Sequence, residues 1–552
     1  MAGHPLVRSL FLHYTYSRTD RLHPLKGLQE GHMPTLLQVL RHTVEQFGTQ
    51  VALIEPIGDD AFSTLTYQAF QERIHGFAGF LQRQRVTKGM QLMIWSGSRI
   101  DWLVAYFAAL QLGMVVVPLD VNSREDFIER IMAQTDIKFI VTTRKQYQTL
   151  RRTSLPFIDI DALPMEELDQ AALPEITEHD LAQIVFTSGT TGTPKGVMLS
   201  HNNIASNALA ALKVVPIHRQ DRALSILPLS HMFELTIEIA IICKGASLVY
   251  ARSLVPETLL KLFVSQRITC MVLVPQALQL FMHSIEREVR RQGRERQWAL
   301  LHRVAAWLPF PLRRYLFLPV HRRFGGHFRF FVSGGAYLPP ELARRWEEMG
   351  FRVMQGYGTT ECSPVVSVNR PHEHHFDSVG KPLPGVSVRI AEDGEILVRG
   401  PNVALGYWKN AKATEEAFKD GWYHTGDLGY FDRHGDLHIK GRKKNMIVLP
   451  NGFNVYAEDV ENVLATIEGV KSAVVLGLPT KDQGQEVHAV LILQDPARAR
   501  TVVQQANRQL APHQQIRSFT VWPDEDFPRT HTLKVKKPEV QERLPALQAR
   551  TR

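Results

Sequence analysis

Short apolar runs alternate with longer stretches of helical period over the first 160 or so residues, and that alternation restricts the chain to an α/β architecture. Apolar residues recur at helical spacing over 35–47, and 51–55 reads as a strand. A turn and a long amphipathic helix occupy 65–86. Short strands at 93–96, 114–119, 139–142 and 158–161 flank a further helix near Trp102. Elements at this spacing build a doubly wound core with a largely parallel sheet. Such sheets take ligands in the crevice beyond the carboxyl ends of their strands. At 552 residues the chain exceeds one ordinary core, so two or more domains are expected.

The stretch that best fits such a crevice is 184–201. Ile184, Val185 and Phe186 read as a buried strand. It empties into Thr187, Ser188, Gly189, Thr190, Thr191, Gly192, Thr193, Pro194, Lys195 and Gly196. The glycines keep the backbone bare, so its N–H groups can approach an anion. The hydroxyls turn to suit, and Lys195 adds a compact positive charge. Ser200 then opens what reads as a helix, a second terminus able to face an anion. The loop suits polyphosphate. It is not a Walker loop, which needs Gly-Lys-Ser/Thr; here Pro194 precedes Lys195 and Gly196 follows it. A flexible linker of this composition would not sit between an apolar strand and an apolar helix.

This loop resembles, nearly residue for residue, the signature loop of the adenylate-forming ligases, the superfamily of acyl-CoA synthetases, luciferases and peptide-synthetase adenylation domains. Further motifs in the superfamily's order extend the likeness over 35–537, most like long-chain fatty acyl-CoA synthetases and acyl–acyl carrier protein synthetases. The resemblance implies a large N-terminal domain of doubly wound sheets with a small barrel-like subdomain, over 1–441. It also implies a small mobile α+β domain over 442–552, hinged at 442–445.

Site residues follow from the same resemblance. Thr187, Ser188, Gly189, Thr190, Thr191, Gly192 and Lys195 would cradle the phosphates. Gly334, Gly335 and Ala336 follow an apolar strand, as do Gly356, Tyr357, Gly358, Thr359, Thr360 and Glu361. In the superfamily these two loops sandwich adenine, with the Tyr357 position stacking on the base, Thr360 contacting phosphate and Glu361 binding magnesium. Mg²⁺ does favour one carboxylate plus phosphate oxygens, although read alone this second loop could be a turn and a helix cap. His231 lies just beyond 224–229, which reads as an apolar strand, and a histidine there is as readily structural as functional; the resemblance puts it near the acyl carboxylate. Asp427 and Arg442 would share the ribose, Lys444 would be the pivot, and Gly452 would line the thioester tunnel. The 402–410 stretch matches a landmark that reads as structural. Lys534 matches the adenylation lysine, though Leu533 stands where glycine is commoner. That leucine variant is familiar among long-chain acyl and carrier-protein ligases. A basic tail with Lys536 and Lys537 is otherwise simply solubilising.

The implied activity is ATP- and Mg²⁺-dependent activation of a fatty acid to its acyl-adenylate, then transfer to the thiol of CoA. The alternative acceptor is the phosphopantetheine thiol of acyl carrier protein, and a non-catalytic adenylate-binding protein is a distant third reading. Net charge is +9, which favours anionic partners such as nucleotides, CoA, an acidic carrier protein or an anionic membrane; no nucleic-acid partner is expected. The 3 cysteines lie far apart without metal or disulfide spacing, as in a reducing compartment. The N-terminus lacks a signal-peptide core, so a cytoplasmic location is expected. Between 286 and 329, arginines 287, 290, 291, 294, 296, 303, 313, 314, 322, 323 and 329 interleave with Trp298, Leu300, Trp307, Leu312 and Tyr315. This segment is either a face for the inner surface of an anionic membrane or a solvated helical hairpin packed on the protein.

Overall fold

The computed structural model describes residues 33–58, 61–150, 153, 155–187, 194–373, 375–451, 453–480, 484–529 and 535–550. Strand Gln91–Trp95 and strand Val115–Leu119 are buried at every position, as expected for strands covered on both faces. They belong to a seven-stranded sheet ordered Gly406–Tyr407, Lys195–Ser200, Leu181–Thr187, Val115–Leu119, Gln91–Trp95, Ile137–Thr142 and Phe157–Asp159. The sheet is parallel from Leu181–Thr187 onward and antiparallel at the other edge.

A nine-stranded sheet lies in the same large unit. Its order is Lys381–Pro382, Val365–Val368, Arg352–Gly358, Phe330–Ser333, Cys270–Leu273, Arg222–Ser225, Ser247–Tyr250, Val51–Pro56 and Phe62–Thr66. Its middle is parallel and both ends are antiparallel. Helix Ile100–Gln111 is buried on nearly every side. Helix Leu36–Phe47 starts at Thr35 through a capping box with Gln38, satisfying two end donors reciprocally.

A five-stranded antiparallel sheet follows, built on the long strand Trp422–Phe431 with Ser387–Ile390, Glu395–Arg399, Phe418–Lys419 and Leu437–Arg442. After the short turn Lys443–Asn445 comes a smaller unit. It holds the hairpin Met446–Val448/Asn454–Tyr456 and a three-stranded sheet of Val470–Pro479, Gln485–Leu493 and Ser518–Val521. Helices Ala457–Ala465, Ala499–Gln509 and Lys537–Arg550 complete it. Its two apolar cores run from Ile447 to Leu544 and share no residue with those of the larger unit, which end at Leu437.

Two local expectations change. The apolar run over 224–229 is a strand only to Ser225; Pro228 has no N–H to give a ladder, and Ser98 Oγ instead donates to Leu227 O and accepts from Leu229 N, both at 2.9 Å. The helix expected to open at Ser200 is present, but a strand the sequence did not announce precedes it. Lys195–Ser200 is a strand, and helix His201–Leu212 begins after it, capped by Ser200 and Asn203.

The arginine-rich segment is helical and packs on the protein. Helix Glu295–Trp307 turns Trp298, Leu301 and Ala305 onto the second core, where Phe317 and Phe324 also sit. Arg329 pairs with Asp221 at 2.5 Å and Arg291 with Glu288 at 2.9 Å. Its opposite face is open: Leu300, Val304 and Trp307 are exposed, Trp307 by 92 %. Among the described residues, no helix is long and apolar enough to cross a membrane.

Candidate active site

Strands Leu181–Thr187 and Lys195–Ser200 form an antiparallel hairpin with Thr187 opposite Lys195. The segment expected to cradle polyphosphate joins these two strands. Ser188, Gly189, Thr190, Thr191 and Gly192 lie outside the described residues, and the hairpin's base fixes where that segment begins and ends. Thr187 Oγ1 donates to Lys195 O at 3.4 Å. A third strand, Gly406–Tyr407, pairs on the outer edge, and Trp408 N–H donates to Gly196 O at 2.7 Å.

That third strand brings in a residue the sequence reading passed over. Lys195 Nζ lies 5.1 Å from the centre of the Tyr407 ring, within cation–π range. The Tyr407 hydroxyl donates to Glu361 Oε1 at 2.9 Å. Burial, then the Glu361 charge, push the Tyr407 phenol far up, so it remains a donor. Glu361 is anchored through its backbone too, its carbonyl accepting from Ala404 N–H at 2.8 Å. Lys195, Tyr407 and Glu361 thus form one connected wall. The 402–410 landmark is structural, but it also carries a side chain into the site.

A second constellation stands beside it. Strand Arg352–Gly358 continues through Gly356 and Tyr357 before a single turn at Thr360–Cys362. The Tyr357 hydroxyl donates to Asp427 Oδ2 at 2.7 Å, and Arg442 Nε lies 2.6 Å from Asp427 Oδ1. Asp427 and Arg442 face each other across neighbouring strands, so the register of one hairpin makes the pair. Burial and Asp427 raise the Tyr357 phenol well above its ordinary value. Burial opposes the Arg442 charge, but Asp427, Tyr357, Tyr423 and Glu361 together outweigh it and the guanidinium is raised. Small residues are required here: a Cβ on Gly358 would run into the Pro364 carbonyl, and one on Gly334 would lie 3.0 Å from the Phe233 ring.

Lys195, His231, Gly335, Ala336, Gly358, Thr359, Thr360, Glu361, Arg442 and Lys444 line one open cleft of about 3210 Å³. Thr187 lines it too, while Tyr357, Asp427 and Gly334 are not among its lining residues. His231 precedes helix Met232–Cys243, its N–H donating to Pro228 O at 2.9 Å. The smaller unit closes the far side with Arg529, Val535, Lys536 and Lys537. Lys534 and Gly452 lie outside the described residues. Arg529 and Val535 pair across the ends of the segment that contains Lys534. Lys536 is engaged by Glu539 at 2.7 Å and Lys537 by Glu461 at 2.8 Å.

Three comparisons with known proteins bear on this cleft. A long-chain-fatty-acid–CoA ligase of Salmonella typhimurium is 27% identical over 84% of this chain and 86% of its own. One of Mycobacterium tuberculosis is 29% identical over 76% of each. Among solved structures, the O-succinylbenzoate coenzyme A synthetase of Bacillus subtilis in complex with ATP and magnesium ion superposes with a TM-score of 0.76, at 26% identity over 91% of this chain and 99% of that one. The family model described as AMP-binding enzyme matches residues 40–408, and its C-terminal companion matches 459–534. A fold, a cleft and a family match that cover most of the sequence agree, and the chain belongs to the AMP-binding enzymes.

Proposed function

We propose that this protein is an AMP-forming acid–thiol ligase that activates a long-chain fatty acid or a similarly apolar carboxylate and passes the acyl group to CoA. The observation that carries this reading is that one cleft is lined both by the Lys195–Tyr407–Glu361 wall and by Arg442, held by Asp427, which Tyr357 in turn hydrogen-bonds. The names of the Salmonella and Mycobacterium relatives support the substrate class.

In this reading a carboxylate oxygen attacks the α-phosphorus of ATP and pyrophosphate leaves. Substrate and triphosphate repel, so the protein's task is positioning and charge neutralisation. Lys195 and the segment before it would hold the polyphosphate. Tyr357 would lie against adenine, and Asp427 with Arg442 would take the ribose. Glu361 suits Mg²⁺, since it offers a hard carboxylate oxygen in a half-buried wall beside Lys195, and the bound ion would offset charge on the phosphate oxygens. Lys534 would stabilise the developing charge on the acyl phosphate. The separate cores on either side of Lys443–Asn445 support rotation of 442–552 about Lys444, withdrawing Lys534 and admitting the thiol.

The test is carboxylate- and ATP-dependent pyrophosphate release, then thioester formation with CoA or acyl carrier protein over a chain-length series. Product with CoA on long chains is expected. Product with carrier protein alone would move the acceptor to that protein, a reading the +9 charge favours. No pyrophosphate release with any carboxylate would overturn the ligase reading. Lys534→Ala should lose adenylation, by about 10²–10³-fold, yet still form thioester from a supplied acyl-adenylate.

The open face of helix Glu295–Trp307 supports peripheral contact with an anionic membrane. Arg296, Leu300, Arg303, Val304 and Trp307 share that face at helical spacing and are all exposed, with Leu312 and Tyr315 exposed beside it. Co-sedimentation with vesicles rich in anionic lipid should fall on Trp307→Ser. Equal recovery of wild type and variant would remove membrane contact from the reading.

A further inference from the structure

The hairpin that carries Asp427 and Arg442 has a second cluster of donors at its opposite end. The turn between its strands reads Asp432-Arg433-His434-Gly435-Asp436. Asp432 Oδ1 accepts from the backbone N–H of His434 at 2.8 Å and of Asp436 at 2.9 Å, which fixes the turn. Asp432 Oδ2 faces His438 Nε2 at 3.4 Å and His375 Nδ1 at 3.9 Å. His375 reaches in from a separate segment, and its Nδ1 lies 2.9 Å from Asp436 Oδ2. Two backbone bonds lock the neighbouring strands together: Val379 N–H to Leu437 O at 2.8 Å and Leu437 N–H to Gly380 O at 2.9 Å. The frame is rigid.

Asp436 makes this more than a solvated polar turn. Its side chain is 2 % exposed, and its Oδ1 is buried with no hydrogen-bond partner. One imidazole contact answers one of its two oxygens. A buried carboxylate left half satisfied is costly unless a cation lies beside it. The ligand-type atoms of His375, Asp432 and Asp436 cluster within 4.8 Å of one another, and the imidazole's separations of 2.9 Å from Asp436 and 3.9 Å from Asp432 fall inside the ~4.0–4.4 Å that two metal bonds of ~2.0–2.2 Å can span.

We infer that His375, Asp432 and Asp436 form a binding site for a borderline divalent transition metal such as Zn²⁺, separate from the nucleotide cleft. An imidazole nitrogen among the donors selects zinc, nickel or cobalt over magnesium or calcium. Solvent takes the fourth position. His438 is the outer partner that orients Asp432, and its own ring is stacked on Tyr430 at 4.8 Å. The ion ties the segment bearing His375 to the hairpin turn, so it braces from behind the strand pair that holds Asp427 opposite Arg442.

The test uses the full chain, stripped with chelator and dialysed against micromolar Zn²⁺, with metal content read by atomic emission. About one equivalent per chain should be retained, and the melting temperature should rise with Zn²⁺. His375→Gln and Asp436→Asn should each abolish the uptake and the rise, while Glu361→Gln keeps both. No uptake by the wild type, or uptake that survives both substitutions, would overturn the inference. His375 is 47 % exposed, so its variant keeps the test decisive should Asp436→Asn fail to fold. Neither readout depends on ligase activity, so the two proposals fail separately.

Discussion

Tyr407→Phe removes one oxygen atom from the site and leaves the ring where it is. The lost interaction is the hydroxyl's 2.9 Å hydrogen bond to Glu361 Oε1; the 5.1 Å approach of Lys195 to the ring stays. A hydrogen bond to a charged partner contributes about 1.5–3 kcal/mol, and each 1.4 kcal/mol is tenfold. If Tyr407 holds Glu361 in place for Mg²⁺, the variant should lose roughly 10–100-fold in metal affinity or adenylation rate, the range for outer-shell partners of a metal ligand. The assay is initial-rate pyrophosphate release at saturating ATP across a Mg²⁺ series, paired with thioester formation from supplied acyl-adenylate. The Mg²⁺ needed for half-maximal rate should rise and the thioester step should stay near wild type. An unchanged Mg²⁺ dependence, or equal loss in both steps, would refute the role given to the hydroxyl.

Asp427→Asn keeps the shape but removes the charge that pairs with Arg442 at 2.6 Å; the KM for ATP should rise about 10–100-fold with little change in the acyl substrate's KM, from the same charged-bond range. Trp346→Ala should cost about 3–5 kcal/mol, read as a lower melting temperature, because its ring is fully buried against Phe324, Phe331 and Phe351. Burial holds His488, 1 % exposed between Ser518 and Thr520, down to about 4. Its unfolded value is near 6.5, so the unfolded chain takes up the proton first. Its stabilising contribution is complete above pH 6.5 and drains away as pH falls toward 4, by up to about 3 kcal/mol. His488→Gln should flatten that part of the melting-temperature profile.

The α/β class was legible because buried strands and an all-round buried helix leave plain traces: 330–333 reads as a strand and is one, and 35–47 reads as a helix and is one from Leu36. The strand Lys195–Ser200 was not legible. Its apolar residues are few, and Gly196 and Lys195 look like loop continuation until the partner strand supplies the ladder. Tyr407 was invisible for a related reason, since nothing local says that a tyrosine 46 positions away will meet Glu361. Asp427 and Arg442 are near in sequence, yet only strand register sets them opposite each other. The arginine-rich segment left two readings open because composition cannot say which helical face is covered; the structure packs one face and leaves the other bare.

The separation of apolar cores at Lys443–Asn445 also sets an order of events during synthesis. The last 110 residues leave the ribosome after every core of the larger unit is already in hand. At ~5–20 residues per second, that gives the larger unit a lead of roughly 5–20 s in which to close around its sheets. The smaller unit then collapses on cores of its own, next to a neighbour that no longer exposes unfinished apolar surface. Nascent chains stalled near residue 445 should accordingly resist protease up to the last strand of the five-stranded sheet.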